Sequence, residues 1–181
     1  MKDNEISYNT FFIFWSLLQH NVLQICWNLI YYVFYRFEFP FIEKYKTNFE
    51  EPWPWHQEPE KWSGMVWKSI MMCAFNGNIT FIAFYYPITL TPLFHPHEMS
   101  VEGLPTAMTL IGTVLFCMIC EDTVFYFVHR IMHHPSVYQY VHKMHHEYST
   151  TTSIAAEYSH PLEYAFGVIL PSAIGPAILG P

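Results

Sequence analysis

Long apolar stretches alternate with polar segments along this chain. The apolar blocks cover residues 11–39, 65–94, 106–128 and 164–179. A helical stretch of about 20 apolar residues is long enough to cross the hydrocarbon core of a bilayer. The pattern therefore predicts an all-α fold, an integral membrane helical bundle that forms one membrane domain over residues 1–181.

The first apolar block carries polar side chains at four-residue spacing, at His20, Gln24 and Asn28. Residues four apart lie on the same face of a helix. A polar face is unfavourable in lipid, so we expect it to pack against other helices or to lie near the membrane interface. This packing explains His20 better than a role in binding metal.

The distribution of basic side chains predicts an orientation in the membrane. They flank the first polar connection, at Arg36, Lys44, Lys46, Lys61 and Lys68. The loop over residues 95–105 has no lysine or arginine, and its His95 and His97 are interpreted as ordinary loop residues. If the second and third blocks each cross once, the first connection and the segment after residue 128 share one side. Cytosolic loops are rich in Lys and Arg, so that side is expected to be cytosolic.

Composition narrows the class of protein. Hydrophobic residues make up 52% of the chain and charged residues only 13%, which is little charge for a soluble surface. The formal net charge of −7 argues against binding to nucleic acid, which attracts basic surfaces.

Six of the eleven histidines fall within residues 129–146, directly after the third apolar block. Imidazole is costly to bury in lipid and is the commonest side-chain ligand for metals. His129 and His133 are one helical turn apart, and a second helix is predicted over residues 137–148 after the break at Pro135. The dense cluster therefore predicts a metal site at the end of a membrane helix.

The second set of histidines, His142, His145 and His146, has the spacing of a single helical face. Folding the two sets together would bring five imidazoles into a small volume. His134 lies off the first face and could be a sixth ligand or could hydrogen-bond to a ligand.

Two side chains of the third block lie near the face of His129. Asp122 is predicted to accept a hydrogen bond from a ligand imidazole and so to orient it, and Tyr126 falls between them on the helix. The alternative for Asp122 is a carboxylate at a helix end in contact with water.

Imidazole-rich sites suit zinc, copper, iron or nickel. The cluster has more histidines than one tetrahedral zinc site uses and has no nearby cysteine, so two metal ions are a reasonable interpretation. A pair of iron ions acting with dioxygen on a lipid fits the membrane setting, although ligand type alone leaves zinc open.

Three segments resemble a known superfamily. Residues 121–134 (EDTVFYFVHRIMHH), 142–147 (HKMHHE) and 156–163 (AEYSHPLE) are similar to the fatty acid hydroxylase/sterol desaturase superfamily. The last of these segments points to its sterol 4-methyl oxidase branch, the methylsterol monooxygenases.

The resemblance implies an enzyme of the endoplasmic reticulum membrane, multi-pass, with a non-haem di-iron site in a histidine-rich helical cap that faces the cytosol. Such enzymes take electrons from NAD(P)H through a b-type cytochrome and its reductase, and use dioxygen to oxidise the 4-methyl group of sterols. By match to the family, the metal ligands would be His129, His133, His142, His145, His146 and His160.

The superfamily also has a third histidine box, of the form H-x-x-H-H, which these 181 residues do not contain. We therefore expect the domain to be incomplete at its C-terminal end. The alternatives are a sterol desaturase or lipid hydroxylase of the same superfamily, and an inactive truncated copy.

Overall fold

The computed structural model describes residues 8–46, 51–91 and 104–179, and all regular structure in these ranges is helical. The predicted all-α fold is confirmed for this part of the chain. The end of the second apolar block and both His95 and His97 lie outside the described residues.

The N-terminal part of the fold is a long helix followed by two short ones. Helix α1 covers Tyr8–Phe37, and one-turn helices follow as α2 (Pro40–Glu43) and α3 (Pro54–Gln57). Both short helices begin at a proline, whose fixed backbone angle suits the first position of a helix and whose missing N–H is not needed there.

The second long helix has a π-helical turn in its middle. It consists of α4 (Pro59–Ala74), a π turn (Phe75–Thr80) and α5 (Phe81–Thr89). It begins at Pro59, so polar residues expected in the first connection form its first turns. Asn9 bonds to the carbonyl of Thr89. Because the N-terminal end of α1 meets the C-terminal end of α5, the two long helices run antiparallel.

The C-terminal part of the described chain contains two helices long and apolar enough to cross a membrane. One is α6, Ala107–Met132. The other is the continuous helix over Pro161–Leu179, formed by α8 (Pro161–Tyr164), a second π turn (Ala165–Ile169) and α9 (Leu170–Leu179). None of the most apolar 18-residue window of α6 is buried inside the protein. An apolar surface of this extent is typical of contact with lipid.

Helices α6 and α9 approach each other closely at Gly175. A Cβ atom added to Gly175 would lie 2.8 Å from the Cα atom of Cys117 on α6. Only a residue without a side chain permits such backbone proximity, as at many helix crossings in membranes. Gly175 therefore permits the close approach of the two candidate spans.

The polar face of α1 packs against other parts of the chain, as predicted. His20 Nε2 lies 3.5 Å from Glu157 Oε2, and Asn28 Oδ1 accepts a hydrogen bond of 2.9 Å from Ser153 Oγ. The expected packing role of His20 is confirmed. These contacts join α1 to residues 153–160, which come shortly after the second set of histidines.

The predicted helix over residues 137–148 is wrong. After a short α7 (Pro135–Tyr138) the chain forms turns and then a 3-10 turn over His145–Glu147. The backbone N–H groups of both His142 and Lys143 donate to the carbonyl of Tyr138. His142 and His145 instead bond to Glu163 and to the carbonyl of Tyr158, which lie further along the chain.

Candidate metal centre

The end of α6 presents the first pair of histidines. His129 lies in the last turn of the helix and His133 is its C-terminal capping residue, one turn further on. Because of this spacing both rings point the same way, and their Nε2 atoms are 3.1 Å apart.

The turn after α7 brings two more imidazoles to this pair. His142 Nε2 lies 3.1 Å from His133 Nε2 and 2.9 Å from His146 Nε2. The ring of His142 is also 4.6 Å from that of His129, centroid to centroid. The structure thus brings together four of the predicted ligands, which we call the histidine cluster: His129, His133, His142 and His146.

The geometry of the histidine cluster fits a bound metal ion. Two imidazole nitrogens about 2.1 Å from one ion, at right angles to each other, are about 3.0 Å apart. The Nε2 separations of 2.9 to 3.1 Å match this value. His142 Nε2 faces two other Nε2 atoms, yet a neutral ring nitrogen has a single lone pair or a single proton to offer. A shared cation satisfies all of these nitrogens at once, whereas a chain of hydrogen bonds cannot.

A buried carboxylate orients the ring of His142. The His142 side chain is fully buried, and its Nδ1 atom lies 2.6 Å from Glu163 Oε1. When Nδ1 donates its proton to the carboxylate, Nε2 is left with its lone pair directed at the cluster. Burial, and then the charges that the neighbouring imidazoles would carry, lower the pKa of His142 to about 4. The ring is therefore neutral and ready to act as a ligand near pH 7.

Glu163 pairs with a histidine of the cluster, whereas the role predicted for Asp122 stays a prediction. Asp122 and Tyr126 lie on the exposed side of α6. In the described part of the chain neither bonds to a histidine, and the Tyr126 hydroxyl accepts a bond from Arg130 Nη1. Glu163 belongs to the 156–163 segment by which the family resemblance was recognised, so that motif was the signal that could have identified it.

His145 lies at the edge of the histidine cluster. Its ring centroid is 5.7 Å from that of His142 and 5.6 Å from that of His146. Its Nδ1 atom faces the backbone carbonyl oxygen of Tyr158 at 3.3 Å. A bond from Nδ1 to a carbonyl oxygen is a common way of orienting a metal-ligating imidazole, and it leaves Nε2 available.

The two other predicted ligands begin helices and make no ring contact with the cluster among the described residues. His134 Nδ1 lies 2.7 Å from Ser136 Oγ at the start of α7. His160 Nδ1 accepts a bond of 3.1 Å from the backbone N–H of Leu162 at the start of α8. Both histidines thus cap helices through Nδ1, and their role as ligands stays a prediction.

The part of the chain that carries this site matches a family model. Residues 114–181 match the model described as fatty acid hydroxylase. This segment belongs to the fatty acid hydroxylase family. The match contains the whole histidine cluster together with Glu163, so the residues gathered by the structure all lie within the fatty acid hydroxylase segment.

Curated relatives extend the similarity upstream of this segment. The chain is 33% identical to methylsterol monooxygenase 1 of Rattus norvegicus over 153 residues, 82% of this chain and 47% of the rat protein. It is 33% identical to methylsterol monooxygenase 2-2 of Arabidopsis thaliana over 78% of this chain and 49% of that protein. The fatty acid hydroxylase ahd1 of Mycosarcoma maydis is 40% identical over 50% of this chain and 23% of its own length.

The chain spans about half the length of the methylsterol monooxygenases that it matches, and about a quarter of ahd1. No solved structure shows a significant match.

Replacing Glu163 by glutamine is expected to weaken metal binding by about 10- to 100-fold, the usual effect of losing a partner that orients a ligand. Glutamine keeps the size of the side chain but offers His142 Nδ1 a weaker hydrogen-bond acceptor, so the ring is held less firmly in the orientation of a ligand. The measurement is the dissociation constant for zinc or cobalt, by competition with a chelator. The control is Glu121→Gln, an exposed glutamate on α6. Equal affinities of Glu163→Gln and the unmodified protein would contradict the role of Glu163.

Proposed function

We propose that this protein is a membrane-bound non-haem di-iron monooxygenase that oxidises the 4-methyl group of sterols. The observation that supports this most is the convergence of His129, His133 and His142 at the end of an exposed apolar helix, inside a fatty acid hydroxylase segment. His146 joins them through its contact with His142. The names of the rat and Arabidopsis relatives support methylsterols as the substrate class.

The ligands divide into two groups in this proposal. The histidine cluster would hold one iron ion. His145 and His160 would serve the second, since each uses Nδ1 for a bond to the backbone and leaves Nε2 available. When bound, iron supplies the electrons and the binding position needed to activate dioxygen for oxidation of a C–H bond.

The chain's own residues orient the ligands and provide the apolar surroundings. Glu163 directs His142 and the Tyr158 carbonyl directs His145. Exposed apolar side chains on α6 lead from the lipid towards His129, so a sterol could approach from within the membrane. Electrons would come from NAD(P)H through a b-type cytochrome and its reductase.

The proposed location is the endoplasmic reticulum membrane, with a multi-pass helical bundle. The histidine-rich cap would face the cytosol, where a soluble electron carrier domain can reach it. The bias of Lys and Arg toward the first connection supports this orientation.

The test uses the chain reconstituted in lipid nanodiscs and loaded with ferrous iron without oxygen. Bound iron is counted by elemental analysis and Mössbauer spectroscopy, and 4-methylsterol is then supplied with oxygen, NADPH, cytochrome b5 and its reductase. Two irons per chain and an oxidised 4-methyl group would support the proposal. Absence of bound iron would overturn it.

A second candidate is a lipid hydroxylase, which the similarity to ahd1 favours over the segment that carries the site. A matched reaction with long-chain lipids in place of the sterol separates the two, since each predicts a hydroxylated product from a different substrate. A sterol desaturase would instead yield a new double bond. Iron bound without any product would favour an inactive copy.

A further inference from the structure

Residues 152–160 connect the histidine cluster to the N-terminal helices. The backbone carbonyl of Tyr158 accepts the bond from His145 Nδ1, and the Tyr158 hydroxyl donates to Glu147 Oε2 at 2.8 Å. The orientation of His145 therefore depends on where this segment places one peptide group. Whatever holds the backbone at Tyr158 and Ser159 also holds the ring of His145.

One side chain of the π turn, Asn76, is hydrogen-bonded to this backbone. Asn76 is fully buried, and its Nδ2 donates a hydrogen bond of 2.9 Å to the carbonyl oxygen of Ser159. Thr80, one turn further along, donates from Oγ1 to Asn76 Oδ1 at 3.1 Å. A flipped amide would face the Ser159 carbonyl with Oδ1, which is also an acceptor, so Nδ2 stays directed at Ser159. The bond from Thr80 holds the side chain at Oδ1.

Asn76 lies in the π turn over Phe75–Thr80. A π turn widens a helix by one residue and often occurs at functional sites. It places Asn76 toward Ser159, while Gly77 faces α1, where an added Cβ would lie 2.9 Å from His20 Nε2. Asn78 of the same turn faces α1 too, and its side chain pairs with that of Asn21. Asn76 therefore contacts the segment next to the histidine cluster, whereas Gly77 and Asn78 face α1.

We propose that Asn76 is a positioning residue for the metal site. It holds the Ser159 carbonyl, and through the adjoining peptide it fixes the Tyr158 carbonyl that orients His145. The inference rests on the proposed metal site. A buried amide is suited to this task because it donates a directed hydrogen bond without bringing a charge into the interior.

The test replaces Asn76 with aspartate in the full chain and measures cobalt(II) binding. Aspartate has the same shape but faces the Ser159 carbonyl with a second acceptor, so the peptide must move. We expect the cobalt dissociation constant to rise by about 10-fold or more, which is the usual effect of removing a residue that orients a metal ligand. The visible absorption spectrum of the bound cobalt should change as well. The matched control is Asn78→Asp, the same change two residues away in the same π turn, which should leave the cobalt spectrum unchanged.

A second variant keeps the test decisive if Asn76→Asp does not fold. Thr80→Val removes the hydroxyl that fixes the amide but preserves side-chain shape, and it should weaken cobalt binding in the same direction by about 3-fold. Native affinity and spectrum in Asn76→Asp, or in Thr80→Val where the first variant is unfolded, would overturn the inference. So would equal losses in Asn76→Asp and Asn78→Asp, which would indicate a general effect on the fold.

The two proposals fail in different ways. If the unmodified chain binds no cobalt, the metal site itself is refuted, and the positioning role with it. If it binds cobalt and Asn76→Asp binds equally well, only the role of Asn76 is refuted.

Discussion

Replacing His142 with alanine is expected to weaken metal binding by more than about 100-fold, beyond the loss seen when an orienting partner is removed. His142 Nε2 is within 3.1 Å of the Nε2 atoms of both His133 and His146, so its loss opens the centre of the cluster. The same change removes the partner of Glu163 Oε1. Among the described residues Oε2 has no hydrogen-bond partner, so the buried carboxyl group would lose its one side-chain contact there. The measurement is the metal content per chain together with a competition assay.

Two further histidine variants serve as controls. His56 is exposed and pairs with Glu38 far from the cluster along the chain, so His56→Ala should bind metal as the unmodified protein does. His134→Ala should also retain metal, because that ring contacts Ser136 rather than the cluster. Metal binding by His142→Ala at the unmodified affinity would contradict the assignment of His142 as a ligand.

The apolar pattern was sufficient to predict the helical class, because a helix in lipid or in a protein interior needs apolar side chains on every turn. Residues 106–128 lie almost entirely in α6, and residues 164–179 lie in the other candidate span. The polar spacing of His20 and Asn28 likewise predicted a packing face, since a regular helix repeats its neighbours every turn. Features of this kind are visible in a single sequence.

The backbone around the second set of histidines could not be predicted in the same way. A helix over residues 137–148 would place His142, His145 and His146 on one face, yet the chain forms turns there. His142 reaches Glu163 and His145 reaches the Tyr158 carbonyl, and both partners lie further along the chain. Local spacing identified the right residue types, but tertiary contacts set the backbone on which they sit.

The hydrogen-bond partner of His142 could not be predicted from local spacing either. Asp122 is predicted to orient a ligand imidazole because it lies on the helical face of His129, which is a purely local argument. Glu163 is 21 residues from His142, and it meets that histidine only because α8 folds back against the cluster. No periodicity connects two residues so far apart, whereas the segment over residues 156–163 that resembles the family contains the carboxyl group that bonds to His142.

Replacing Gly175 with leucine is expected to destabilise the protein by about 3 kcal/mol, the upper part of the usual range for overpacking a close contact. A Cβ at this position meets the backbone and the sulfur atom of Cys117 at 2.8 and 2.9 Å, so α6 and α9 must separate. The measurement is the thermal unfolding midpoint in detergent. The control is Gly112→Leu on α6, where an added Cβ meets no atom of the described residues within 4 Å.

The effect of Gly175→Leu should extend to the metal site. The helix that carries Gly175 begins at α8, which contains Glu163, while α6 ends at His129 and His133. Separating the two helices therefore shifts the carboxylate relative to the imidazoles it supports. We expect metal affinity to fall together with the unfolding midpoint in Gly175→Leu and to stay unchanged in Gly112→Leu. Native metal affinity in a destabilised Gly175→Leu protein would show that the cluster holds its geometry without help from the α6–α9 contact.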